Sequence, residues 1–258
     1  MHTIIPMNFF CAIGLYGKAF EILFSPGFRR FLLFPVLLIL LLFIGGNFLV
    51  GWAVDGLYRL IQGYIASWME GVSWIFIKIL LKILYFYLFL TFGGYILLIV
   101  MSPVYSWLSE RTENRLTGRK YPFRMGVFLR QVGRGILIVL RNMLWQLFFY
   151  ILFFLLSFIP VLGLLSPFVL FFISAYFYGF SFMDYAVERR QLNVRQSVRY
   201  AYRNKVTVTG IGIVFALALM VPLCSFVACA FVSLLSVIAG TLAVEKTFPS
   251  DTLSVRIE

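Results

Sequence analysis

The densest chemistry in the chain lies in Ser25-Pro26-Gly27-Phe28-Arg29-Arg30, which is followed by 24 uncharged residues from Phe31 to Val54. Ser is a favoured helix N-cap and Pro a favoured first helical residue, so a helix is predicted to begin here. The backbone N–H groups of Gly27 and Phe28 then stand among the unpaired donors of its first turn. Gly27 has no side chain in the way, and Arg29 and Arg30 add two full charges at the positive end of the helix dipole. Such a construction can hold a small anion. The same residues also suit a plainer role, a capped helix whose arginines mark the cytoplasmic end of a span.

Two further groups of residues carry charge in a pattern. On a helix over Pro103–Gly118, Glu110 and Glu113 share a face with Ser106 and Ser109, while Arg111 and Arg115 fall beside Val104 and Leu108. Arg130, Arg134 and Arg141 follow at i, i+4 and i+11, which puts them within about 40° of one another on a helix. This stripe reads either as an interfacial helix lying on anionic lipid or as one wall of a water-filled path. Neither glutamate has a basic residue four positions on, so Glu110 and Glu113 are expected to pair with Arg130, Arg134 and Arg141 near an ion path. Arg195, Arg199 and Arg203 repeat the basic theme at i, i+4 and i+8.

The inventory leaves little room for catalysis. His2 is the sole histidine, and Gly14-Leu15-Tyr16-Gly17-Lys18-Ala19 lacks the spacing and the hydroxyl of a phosphate-binding loop. No metal-ligand spacing occurs, so no catalytic residue, cofactor or metal is expected. Cys11, Cys224 and Cys229 form no paired motif in their apolar surroundings and read as reduced packing residues. The long apolar segments carry no acid away from their ends, where proton- or sodium-coupled transporters usually place one. Transport, if any, would then be passive, and the surplus of arginine points to an anion.

These residues must be held by a membrane bundle. Hydrophobic residues make up 62% of the 258 and charged residues 12%, and mean hydropathy is +0.97, whereas a soluble domain carries about twice that charge. The net charge of +12 sits in bands beside apolar runs, which favours lipid headgroups or a small anion as partner over nucleic acid. No linker breaks the chain, so residues 1–258 read as one membrane domain, and the N-terminus lacks the features of a cleaved signal. Met7–Phe24 reads as an apolar helix at the interface or packed on the bundle. Long spans are expected over 26–54, with Gly45-Gly46-Asn47 allowing close approach or a bend, and over 83–109. Helical hairpins are expected over 142–183 and 206–244, turning at Ile159-Pro160 and Val221-Pro222-Leu223. Their first legs of about 18 and 16 residues give roughly 24–27 Å, and their turns are apolar, so the tips should end within the membrane or against protein. Basic segments over 102–141 (eight Lys/Arg against two acids) and 184–205 (six against two) place these parts, and the N-terminus, in the cytoplasm.

Four stretches together resemble the CysZ-type sulfate permease family of bacterial inner membranes, related to the etoposide-induced membrane proteins. They are Ser25–Arg30 before a long helix; Pro103 with Glu110, Glu113, Arg115, Leu116, Thr117 and Gly118; Ile159-Pro160 with its hairpin; and Asp184-Tyr185 leading to Arg195, Arg199 and Lys205. The resemblance implies an all-α protein with two long spans, two partially penetrating hairpins and amphipathic interfacial helices, assembled as a homo-oligomer. It implies sulfate bound by Gly27, Phe28, Arg29 and Arg30, and passive sulfate uptake for cysteine biosynthesis. Glu245–Glu258 has no counterpart in it. The alternatives are a permease for another small anion, or a non-transporting scaffold that binds anionic lipid.

Overall fold

A computed structural model describes residues 7–61, 74–85, 98–118, 125–190, 192–220 and 225–248. The regular elements among them are helices: α1 (Phe9–Leu23), α2 (Leu33–Ile61), α3 (residues 74–85), α4 (Ser102–Thr117), α5 (Met125–Leu156), α6 (Pro160–Glu188), α7 (Val194–Arg203), α8 (Lys205–Leu219) and α9 (Ser225–Thr247), with a 3₁₀ turn at Arg29–Leu32. Among the described residues, three stretches are long and apolar enough to cross a bilayer: Leu129–Leu156, Val161–Glu188 and Ala228–Thr247. Leu37, Leu41 and Phe48 of α2, Phe76 of α3, Leu144 of α5 and Phe168 of α6 all point outward. Apolar exposure on that scale belongs against lipid. The protein is an all-α membrane protein.

The core forms around α9, which buries Ala230, Ser233, Leu234, Val237, Ala239 and Ala243 against α1, α4, α6 and α8. Small side chains let backbones approach closely in lipid, where packing rather than a hydrophobic driving force joins helices. Among the described glycines the closest approach to another helix is between α6 and α8. A Cβ on Gly179 would lie 1.9 Å from the Val208 carbonyl oxygen, and one on Gly212 would lie 1.8 Å from that of Ala175. Of the two placements open to the first apolar segment, the structure shows packing on the bundle: α1 buries Ala12, Leu15, Ala19 and Leu23. Its Tyr16 hydroxyl donates to the Ile211 carbonyl (2.5 Å) and meets Ser236 Oγ at 2.8 Å. The expected close approach at Gly46 is present, with Tyr85 of α3 lying against it.

Several boundaries differ from those read in the sequence. The first long helix, α2, starts at Leu33 instead of Pro26. The chain turns at Met101, so residues 102–109 belong to α4, not to the second span, whose residues 86–97 lie outside the described ones. α5 and α6 form the first hairpin, but α5 begins at Met125. No proline interrupts its 32 residues, and it runs about 48 Å as one rod carrying both the basic stripe and the first leg. The apolar turn satisfies its own backbone: Ile159 N–H donates to the Leu156 carbonyl (3.0 Å) and Ser157 Oγ to that of Phe154 (2.6 Å). In the second unit the basic helix α7 opens with an Asn193–Gln196 capping box and stops at Asn204 before α8. The tip at Val221-Pro222-Leu223, Cys224 and residues 249–258 lie outside the described residues. Cys229 is buried, whereas Cys11 is exposed on α1 and does not pack inward.

Candidate functional site

Ser25-Pro26-Gly27-Phe28 forms a turn, not a helix start. The Phe28 N–H donates to the Ser25 carbonyl (3.1 Å), and Gly27 has φ +90°. Pro at the second position and a left-handed Gly at the third are the requirements of a type II turn. Ser25 Oγ donates back to the Ile22 carbonyl (2.6 Å) and so finishes α1 instead of capping α2. The Phe28 N–H is therefore engaged within the turn. The outer side of Gly27 is open, since a Cβ there would meet nothing within 4 Å. Arg29 and Arg30 are exposed. Arg29 Nε donates across the turn to the Phe24 carbonyl (2.8 Å).

Aromatic packing presses this turn onto α4. Phe31 is fully buried with its ring centroid 4.7 Å from that of Trp107, and Phe28 lies 6.1 Å from Phe31. From the other side Arg115 donates to Ser25 Oγ and stands 5.6 Å over the Phe28 ring. Between turn and helix lies a pocket of about 550 Å³ lined by Pro26, Phe28, Trp107, Glu110, Arg111, Asn114 and Arg115. Its wall holds two guanidiniums and one carboxylate, with Arg29 and Arg30 on the adjoining turn. Burial raises the Glu110 carboxyl above its ordinary pKa, against the opposing pull of Arg189. Trp107, Arg111 and Asn114 were not among the expected binding residues, because a contact spanning about ninety residues leaves no mark in local spacing.

The expected pairing of Glu110 and Glu113 with the α5 stripe is overturned. Glu113 pairs with Arg189, at the end of α6, at 2.5 Å. The same arginine donates to Ser109 Oγ (2.6 Å) and to the Tyr185 carbonyl (2.8 Å). Arg134 pairs with Asp184 (3.1 Å) and donates to Ser197 Oγ (2.6 Å) and the Leu192 carbonyl. A third pair joins Arg190 to Glu245. The reason is topological: α5 runs antiparallel to α6, so Arg134 meets the acid of its own hairpin, while α4 packs on α6 and α9 and turns Glu113 to the end of α6. Of the other candidates, Glu110 lines the pocket, Arg130 is exposed, and Arg141 donates to Asn142 Oδ1 at 3.3 Å. The five residues do not form one cluster. Below the Arg134–Asp184 pair a polar seam continues along the α5–α6 contact, with Asn142 bonded to Ser181 (2.9 Å) and Gln146 to Ser174 (2.9 Å).

A family model described as Sulfate transporter CysZ/Etoposide-induced protein 2.4 matches residues 15–229. The match takes in the turn, the pocket wall and the Glu113–Arg189 and Arg134–Asp184 pairs.

Proposed function

The chain belongs to the sulfate transporter CysZ/etoposide-induced protein 2.4 family, and from that premise we propose that it is a sulfate permease of a bacterial inner membrane. In this reading sulfate passes down its gradient, feeds cysteine biosynthesis, and crosses through a homo-oligomer of the chain. The observation that carries it is the meeting of the Ser25–Arg30 turn with Arg111, Asn114 and Arg115 of α4 around one pocket. Planar guanidinium forks match a tetrahedral oxyanion with paired N–H donors. Arg29, Arg30 and the open Gly27 N–H supply donors from the turn. Phe28 serves through its ring, which carries Arg115 and closes one wall. Glu110 opposes the arginines, and a conducting site needs binding weak enough to release its ion.

Sulfate flux into liposomes containing purified protein tests the proposal. Saturable uptake that needs no proton or sodium gradient, and that falls in Arg115→Ala, is expected. Protein-containing liposomes no more permeable to sulfate than empty ones would contradict it and favour a lipid-binding scaffold.

A further inference from the structure

The pocket between the turn and α4 is larger and more mixed in character than an inorganic oxyanion needs. A sulfate ion takes the room of about three waters, roughly 90 Å³ at about 30 Å³ each, whereas the pocket holds about 550 Å³. That volume falls in the range of sites for small organic molecules, roughly 300–1,000 Å³. Its lining is also sorted along α4. At about 100° per residue, Glu110 and Asn114 fall about 60° and 20° to one side of Trp107, and Arg111 and Arg115 about 40° and 80° to the other. All five line the pocket, together with Pro26 and Phe28 of the turn. One flank thus offers a carboxylate and an amide, the other two guanidiniums, and the aromatic and proline rings supply an apolar wall.

Glu110 and Arg111 are neighbours in sequence, yet among the described residues neither takes part in an ion pair. Adjacent side chains on a helix do not face each other. Arg115 is anchored by its bond to Ser25 Oγ and by its place over the Phe28 ring. Opposite charges kept apart in one cavity suit a ligand that carries both. A sulfate dianion satisfies the arginine flank alone and meets Glu110 as a like charge. A zwitterion gains on both flanks, and an apolar side chain on it gains on the ring wall as well. We propose that the pocket takes a zwitterionic amino acid with an apolar side chain, its carboxylate on Arg111 and Arg115 and its ammonium on Glu110 and Asn114. This rests on the reading of the same pocket as the sulfate site, so the amino acid competes with sulfate for the arginines and blocks its entry.

Calorimetric titration of the full chain in detergent with L-phenylalanine, N-acetyl-L-phenylalanine and L-phenylalaninamide tests this, since the second lacks the ammonium and the third the carboxylate. Wild type should bind L-phenylalanine more tightly than either derivative, and sulfate should displace it. Glu110→Gln should weaken L-phenylalanine about tenfold, the effect of losing one charge-assisted contact, while strengthening sulfate and leaving N-acetyl-L-phenylalanine unchanged. Arg111→Ala, at an exposed position, should weaken both L-phenylalanine and sulfate. Equal L-phenylalanine affinity in wild type and Glu110→Gln would overturn the proposal, as would amino-acid binding that saturating sulfate does not disturb. A wild type that binds sulfate but not L-phenylalanine would overturn the amino-acid site and leave the sulfate site standing. Binding of L-phenylalanine without sulfate, lost in Glu110→Gln, would support the amino-acid site and remove sulfate from the pocket.

Discussion

Arg189 and Arg29 carry the same guanidinium into opposite surroundings. The Arg189 side chain is 3% exposed and its N–H groups meet Glu113, Ser109 and the Tyr185 carbonyl. Arg29 lies open to solvent, with one bond to the Phe24 carbonyl. Both sit in a basic band that the sequence presents as uniform. The difference is one of supply: Arg189 spends its donors inside the bundle, and Arg29, on the surface, spends one on the Phe24 carbonyl. Arginines of the first kind hold α4, α6 and α9 together, and those of the second kind line the turn and the pocket. Substitution should therefore move stability at one set and sulfate binding at the other.

The largest effect should come from Glu113→Ala, which leaves Arg189 buried without its carboxylate at a cost of about 3–5 kcal/mol. Thermal unfolding in detergent reads this, and the Glu113→Ala/Arg189→Ala double variant should lose less than the sum of the two single losses. Simple additivity would mean that the two are not coupled. Asp184→Ala should cost less, about 1–3 kcal/mol. Its bond to Arg134 is a single contact at 3.1 Å, one carboxylate oxygen has no partner among the described residues, and Arg134 would keep Ser197 and the Leu192 carbonyl. A loss as large as that of Glu113→Ala would erase the ranking between the two pairs. Gly27→Ala puts a Cβ into open space at φ +90°, so strain of about 1 kcal/mol is expected. Sulfate affinity should fall with it by less than tenfold, and an unchanged melting temperature would contradict the strained turn.

The smallest effect concerns pH. Because burial raises the Glu110 carboxyl, it takes up its proton at a higher pH than a free carboxylic acid does, and once neutral it no longer repels a dianion in the pocket. Sulfate affinity should therefore rise as pH falls through that range, and Glu110→Gln should hold the higher affinity throughout. A wild-type profile that is flat across that range would take Glu110 out of the anion's field.

Local rules made some of this legible and misled elsewhere. The 100° step of a helix placed Ser106, Ser109 and Glu113 on one face, and all three are buried on α4. It said nothing about partners, and Glu113 meets an arginine 76 residues away. At Ser25-Pro26-Gly27 two local rules compete, Pro as first helical residue and Pro-Gly as turn. The turn prevails because Gly27 accepts a left-handed backbone and Ser25 is already engaged by α1. The first hairpin starts before 142 because the uncharged run that begins after Arg141 is no helix boundary: a continuous helix carries Arg141 on one flank without breaking. The pocket was the least legible part, since the turn and α4 meet only in the fold, through packing of Phe28, Phe31 and Trp107 and the bond from Arg115 to Ser25.

The central claim is that the exposed arginines of the turn hold sulfate while the buried ones hold the fold. Calorimetric titration of sulfate into wild type, Arg29→Ala and Arg29→Lys, with a melting curve recorded for each, tests it most directly. Loss of a charge-assisted fork should weaken binding roughly ten- to a hundredfold in Arg29→Ala. The loss should be smaller in Arg29→Lys, which keeps the charge without the planar geometry, and all three proteins should melt alike. Unchanged sulfate affinity in Arg29→Ala, or a melting temperature that falls with it, would contradict the claim.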